Sequence, residues 1–175
     1  MKFLPALALS SAAVTVTAAV GSLVTTPDDL WYKAALKKPS FQPPALAFPI
    51  AWTALYASIA SASTQVLTAE TPAPSTVQPA GAWQREQDEL ERKVRHYKVA
   101  LGANLVLNAG WSAIFWQGRN YKLATAEAAL LAASSIDLAR RAYQIKPAAG
   151  ALLLPYAGWT SFATVLSGAI AKLNP

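Results

Sequence analysis

Six tryptophans, six tyrosines and five phenylalanines are distributed over 175 residues that contain no cysteine and a single histidine, His96. Without cysteine there is no thiolate nucleophile, no thiolate metal site and no disulfide. His96 lies in a charged segment, without the serine and carboxylate neighbours of a hydrolytic triad. No cluster of histidines and carboxylates offers a metal site either. What remains is recognition chemistry: indole and phenol rings that stack on flat apolar molecules, and a few amides and hydroxyls that orient them. The spacing of these residues is helical. Trp52, Tyr56, Ile59 and Ser63 recur at i, i+4, i+7 and i+11, so they form one stripe. Asn104, Asn108, Trp111, Ser112 and Phe115 fall within roughly a 100° arc of another helix. Tyr156, Trp159, Ala163 and Leu166 line one side of a third helix, with Ala157, Ser161, Thr164 and Gly168 roughly opposite.

The helices that carry these stripes belong in a membrane. The chain is 54% hydrophobic and 14% charged, whereas soluble domains average about 25% charged residues. Its length fits one domain. The apolar runs predict an all-α, five-helix transmembrane bundle, with spans over about 3–24, 44–67, 99–116, 123–143 and 148–171. The first run is uncharged and long enough to cross roughly 30 Å of hydrocarbon; taken alone, behind Met1 and Lys2, it reads equally as a secretory signal peptide. Pro39, Pro43 and Pro44 break the chain before the second span, and proline is tolerated in a helix's first turn. The fourth span carries Glu127 near its start and Asp137 near its end, and Pro147 follows it. Between the second and third spans, 68–82 is a flexible linker rich in Pro, Ala and Thr. Next comes a charged helix over 83–98, in which Asp88/Arg92, Glu89/Lys93 and Glu91/Arg95 stand at i, i+4 with the acid first.

Two amides on one face are costly in lipid, so the Asn104/Asn108 face points inward. Its partners are either a ligand or other helices through hydrogen bonds. The small-residue face of the fifth span admits close approach by another helix, and a homodimer is one use for such faces. Trp31 and Trp83 fit interfacial anchoring, whereas Trp52, Trp111 and Trp159 sit on organised internal stripes. The net charge of +6 follows no water-facing stripe. It therefore reads as flanking-loop Lys and Arg rather than as a nucleic-acid surface, and its distribution favours a cytoplasmic N-terminus.

Three segments carry a family resemblance. WYKAALKKPSFQPPALAFPIAWTALY (31–56), LNAGWSAIFW (107–116) and LLLPYAGWTSFATVLSGAIAKLN (152–174) resemble, in order, the motifs of the TspO/MBR family, which includes the translocator protein and the tryptophan-rich sensory protein. The match spans most of the chain apart from about 68–95. It implies a single TspO-like domain over 1–175, five spans with the first run retained, and a multi-pass protein of a bacterial envelope or mitochondrial outer membrane. It further implies a protein that binds, and in transport hands on, tetrapyrroles such as porphyrin or haem intermediates. Sterol-like lipids and a homodimer are further expected partners, no cofactor is required, and no metal or nucleic acid is involved.

The helix faces and the family motifs together give the candidate ligand contacts Trp31, Tyr32, Trp52, Tyr56, Asn104, Asn108, Trp111, Phe115, Trp159, Ala163 and Leu166. The pocket would lie among the first, second, third and fifth spans, beneath the 27–44 loop. The resemblance also raises a light-dependent porphyrin-degrading enzyme, with Trp52 or Trp159 as redox participant. A third reading is a scaffold that recruits a partner through the 83–98 helix. The chain departs from the family pattern at Ser167 and Gly168, where Asn and an aromatic are usual. Leu46 and Leu123 stand where relatives carry Trp. No Tyr lies between Val165 and Lys172, which weakens the sterol expectation, itself resting on a weak motif.

Overall fold

A computed structural model describes residues 1–73, 79 and 81–175. Among these residues the regular elements are all helical: α1 (Phe3–Val24), α2 (Ala47–Leu67), α3 (Ala82–Ser112), α4 (Tyr121–Ile145), α5 (Pro147–Leu152) and α6 (Leu154–Leu173). Two short π-helical turns, Trp31–Ala35 and Ala113–Gln117, stand in the α1–α2 connection and at the end of α3. The 74–78 and 80 part of the expected flexible linker lies outside the described residues.

The helices close a ring. α1 packs on α2 and α3, α3 on α4, α4 along α6 and α5, and α2 on α5 more extensively than on α6. The buried face of α4 is rich in alanine (Ala124, Ala128, Ala132, Ala139, Ala142), which lets its neighbours approach closely. Gly168 of α6 faces it: a Cβ there would lie 3.5 Å from Thr125 Cγ2. Gly168, the last member of the small-residue stripe of α6, thus packs inside this chain. Leu4, Leu23, Ile50, Val106, Leu130, Leu154 and Val165 point outward and are well exposed. Large apolar side chains exposed all round a bundle suit lipid, not water.

Among the described residues, three segments are long and apolar enough to cross a membrane: Phe3–Val24, Ala82–Gln117 and Pro147–Leu173. α2 and α4, of 21 and 25 residues, have the length but carry more polar groups. They turn Ser63, Thr64, Glu127 and Ser135 into the bundle. Hydroxyls also return to their own helix: Thr17 donates to the Ala13 carbonyl at 3.0 Å, Thr64 to Ala60 at 2.7 Å and Thr160 to Tyr156 at 3.0 Å. A hydroxyl satisfied in this way is tolerable where no water reaches.

The element ends differ from the sequence expectation for identifiable reasons. The charged 83–98 segment and the third span are one continuous helix, since no breaker separates them, and Glu89 closes on Lys93 at 2.7 Å. α2 begins at Ala47, after a turn in which the Ala47 N–H reaches the Pro44 carbonyl at 2.9 Å. The fifth apolar run is divided at Leu153, because Pro155 has no N–H to continue the ladder.

Candidate ligand-binding site

The site is built at one end of the bundle, where the 25–46 connection folds over the helix ends. Several tethers hold this loop down. Arg119, which follows α3 with a positive φ of 47°, bonds Asp29 at 3.0 Å and lies 4.6 Å over the Trp31 ring. Trp31 Nε1 donates to the Tyr121 hydroxyl at 3.1 Å, and the two rings are parallel. The Lys37 N–H donates to Asn174 Oδ1 at 3.0 Å, while Asn174 Nδ2 returns to the Lys37 carbonyl at 2.9 Å. Lys38 sits over the Tyr32 ring at 3.8 Å, and Gln42 donates to the Tyr32 hydroxyl. Burial pushes the Tyr32 phenol above its ordinary value. Lys33, bonded to Asp28 at 2.7 Å, holds that carboxyl below the usual range.

Beneath the loop, aromatic rings fall into two groups that meet. Trp31, Tyr32, Trp111, Phe115 and Leu166 gather around Trp116, with Tyr32 and Trp116 at 4.6 Å and Trp111 stacked on Phe115 at 4.9 Å. Trp52, Tyr56 and Trp159 pack on the main core. Trp52 contacts Tyr56 at 5.4 Å and meets Tyr156 edge-on at 6.4 Å. Trp159 reaches Phe48 at 6.0 Å and Phe162 at 5.7 Å, and this pair joins the two groups. α2 leans on α5 and only lightly on α6, so the seam between α2 and α6, hereafter the slot, is bridged by aromatic rings, with Phe48 of α2 meeting Trp159 of α6 edge-on and Trp52 meeting Tyr156. Phe48, Trp52 and Tyr56 stand on one wall; Trp159, Phe162 and Ala163 stand on the other, all half-buried. Phe41 of the loop touches Phe162 edge-on at 6.4 Å and roofs the slot.

The floor is a directional hydrogen-bond chain. Tyr56 donates to Asn108 Oδ1 at 2.8 Å, Asn108 Nδ2 to the Tyr156 hydroxyl at 3.1 Å, and Tyr156 to Asn104 Oδ1 at 2.8 Å. Asn104 Nδ2 donates onward to Ser134 and Ser135 at 3.2 and 3.1 Å. Asn104 and Tyr156 are fully enclosed. The two amides thus join α2, α3, α4 and α6 to one another. Trp52 and Trp159 share one core group through different ring partners.

Phe48, Phe162, Trp116 and Tyr121 also belong to this assembly, although the sequence does not single them out. Phe48 stands four residues before Trp52 and Phe162 three after Trp159, so extending the stripes by one turn finds both. Tyr121, at the first residue of α4, carries no periodic signal. Among the described residues, no group of three His, Asp or Glu side chains is placed to hold a metal ion.

A family model described as the TspO/MBR family matches residues 9–173. The chain belongs to the TspO/MBR family. It is 33% identical over 156 residues to the tryptophan-rich protein TspO of Chlorobaculum tepidum, covering 89% of this chain and 87% of that one. It is 30% identical over 138 residues to the translocator protein homolog of Schizosaccharomyces pombe, covering 79% and 74%. With the human translocator protein it shares 27% over 155 residues, covering 89% and 82%. This TspO/MBR chain is accordingly an integral, multi-pass membrane protein, and Trp31, Trp52, Trp111, Trp116 and Trp159 belong to its two adjoining aromatic groups.

Proposed function

We propose that this TspO/MBR protein binds flat tetrapyrroles, porphyrins or haem intermediates, in the slot between α2 and α6, and passes them on at the membrane. It would cross the membrane five times, with α5 and α6 sharing the last crossing. The observation that carries the reading is the slot itself, with half-buried aromatic rings on both walls and a polar floor whose groups are already paired. An indole or phenol wall suits a conjugated macrocycle, because stacked rings contribute roughly 0.5–1.5 kcal/mol each beyond burial. The name translocator protein, carried by the human relative, accords with a carrier. A sterol would use the same walls with less stacking. The test is titration of the protein in detergent with protoporphyrin and cholesterol, read by intrinsic tryptophan fluorescence. Saturable quenching by protoporphyrin is expected; quenching that never saturates, as in simple inner filtering, would remove the reading.

The tethered loop should govern how long a ligand stays. Trp31 and Tyr32 contact the same aromatic group as Phe115 and Trp116, so replacing both by alanine should speed protoporphyrin release roughly fivefold, the equivalent of about 1 kcal/mol of ring contact. Stopped-flow dissociation measures this directly. An unchanged off-rate would make the loop a connector only.

A light-dependent breakdown of bound porphyrin is a second reading, favoured by the contact of Trp52 with both Tyr56 and Tyr156. Loss of the porphyrin absorption band under illumination, absent in the dark, distinguishes it from binding alone.

A further inference from the structure

We infer that Glu127 and Trp111 form a recognition pair for a lactam, a ligand edge that carries an N–H beside a carbonyl. The inference rests on the slot and its surroundings being the ligand site, and it names what that site reads. Glu127 lies on α4 with only 7% of its surface exposed, and both of its carboxyl oxygens are buried without a hydrogen-bond partner. Trp111 Nε1 on α3 is buried and unpartnered as well.

The two are at one depth. Asn104 on α3 bonds Ser134 and Ser135 on the antiparallel α4. Trp111 stands seven residues beyond Asn104, and Glu127 eight before Ser135. At about 1.5 Å of rise per residue, both lie about 10–12 Å from that bond, in the same direction. Both also lie on inward faces: Glu127, Leu131 and Ser135 succeed one another at i, i+4 and i+8 and are all buried, and Trp111 continues the Asn104/Asn108 stripe.

The neighbouring polar groups cannot serve them. The Tyr156 hydroxyl already accepts from Asn108 and donates to Asn104, and both Asn104 Nδ2 bonds go to serines. A buried ionisable side chain without a partner is unfavourable in a membrane interior and marks a functional position there. The chemistry of the pair then selects its ligand. An indole N–H only donates, and a carboxyl keeps an acceptor oxygen whether ionised or neutral. A lone carbonyl leaves that acceptor unmatched, and a lone amine leaves the Trp111 N–H less well matched. An N–H and a carbonyl on adjacent atoms satisfy both, and a flat lactam presents them on one rim while its face stacks.

The probes are 2-quinolone, a flat aromatic lactam, and its N-methyl derivative, which keeps the ring and carbonyl and lacks the donor. Affinities are read by tryptophan fluorescence in wild type, Glu127→Leu, Glu127→Gln and Trp111→Phe. Wild type should prefer the N–H probe about tenfold, the scale of one hydrogen bond to a buried acceptor. Glu127→Leu should bring that ratio close to one. Glu127→Gln, which retains a side-chain carbonyl, should keep most of it. Trp111→Phe should weaken both probes, because each keeps the carbonyl that accepts the indole N–H. A wild-type ratio near one overturns the inference and would mean that Glu127 and Trp111 satisfy each other or share a water. A ratio untouched by Glu127→Leu, with the parent fold intact by thermal unfolding, also overturns it, as does a Trp111→Phe variant that binds both probes like the parent. Protoporphyrin is titrated into the same wild-type sample: its saturable binding upholds the slot whatever the quinolones do, and its absence removes the slot reading itself.

Discussion

Replacing Gly150 by alanine should strongly destabilise the bundle, by about 3 kcal/mol, the upper end of what overpacking typically costs. A Cβ at Gly150 would stand 2.5 Å from Tyr143 Cβ, 2.6 Å from Tyr143 Cα and 2.7 Å from Tyr143 N. Most of these atoms are backbone, so no rotamer change relieves the clash; α5 must move away from α4. It has little freedom to do so, because the turn at Lys146 binds the two helices through the Lys146 N–H to the Ala142 carbonyl and the Gly150 N–H to the Lys146 carbonyl. Since α5 is also the element on which α2 rests, its displacement opens the ring on the side of the slot. Gly102 on α3 is the control, because nothing lies within 4 Å of a Cβ placed there. Alanine at Gly102 should be neutral or gain up to about 1 kcal/mol of helix propensity. Thermal unfolding in detergent, followed by tryptophan emission, reports both. A Gly150→Ala protein as stable as the parent would mean that the α4–α5 crossing is wider than described.

Much of the architecture follows from periodicity. The stripe Trp52–Tyr56 and the stripe Tyr156–Trp159–Ala163–Leu166 are readable because a helix repeats every 3.6 residues and lipid penalises polar groups on the wrong face. Periodicity names a face, however, and not the partner that covers it. For that reason Asn104 and Asn108 were equally ligand contacts or interhelical bonds in sequence terms, and only the packed helices show Tyr56, Tyr156, Ser134 and Ser135 taking up their hydrogen bonds. The tethers Arg119–Asp29, Trp31–Tyr121 and Lys37–Asn174 join positions 90 to 137 residues apart, with no local pattern to announce them. The break at Leu153 was foreshadowed by Pro155, yet a proline inside an apolar run is compatible with either a kink or a first turn. The sequence shows Glu127 only as an acid near the start of the fourth span, because a single acid in an apolar run does not say whether it faces lipid or the bundle.

The central claim is that Trp52 and Trp159, on opposite walls of the slot, carry most of the energy of porphyrin binding. Each is half-buried, so part of its surface stays accessible, and each already holds aromatic neighbours that fix its ring plane. A ring stacked on a conjugated ligand is worth roughly 1–3 kcal/mol on truncation to alanine, about five- to 150-fold in affinity, by analogy with bases stacked on aromatic side chains. An indole turned to lipid would be nearly neutral on substitution. Trp83 is the internal control: its Nε1 bonds the Pro72 carbonyl at 2.9 Å, far in sequence from either wall. The deciding measurement is the dark protoporphyrin affinity of Trp52→Phe, Trp159→Phe and Trp83→Phe beside the parent. Phenylalanine keeps part of the stacking, so the first two should weaken binding toward the lower end of that range, about five- to tenfold, while Trp83→Phe binds like the parent. If all three variants bind like the parent, or if Trp83→Phe alone loses affinity, the slot between α2 and α6 is not where the porphyrin sits.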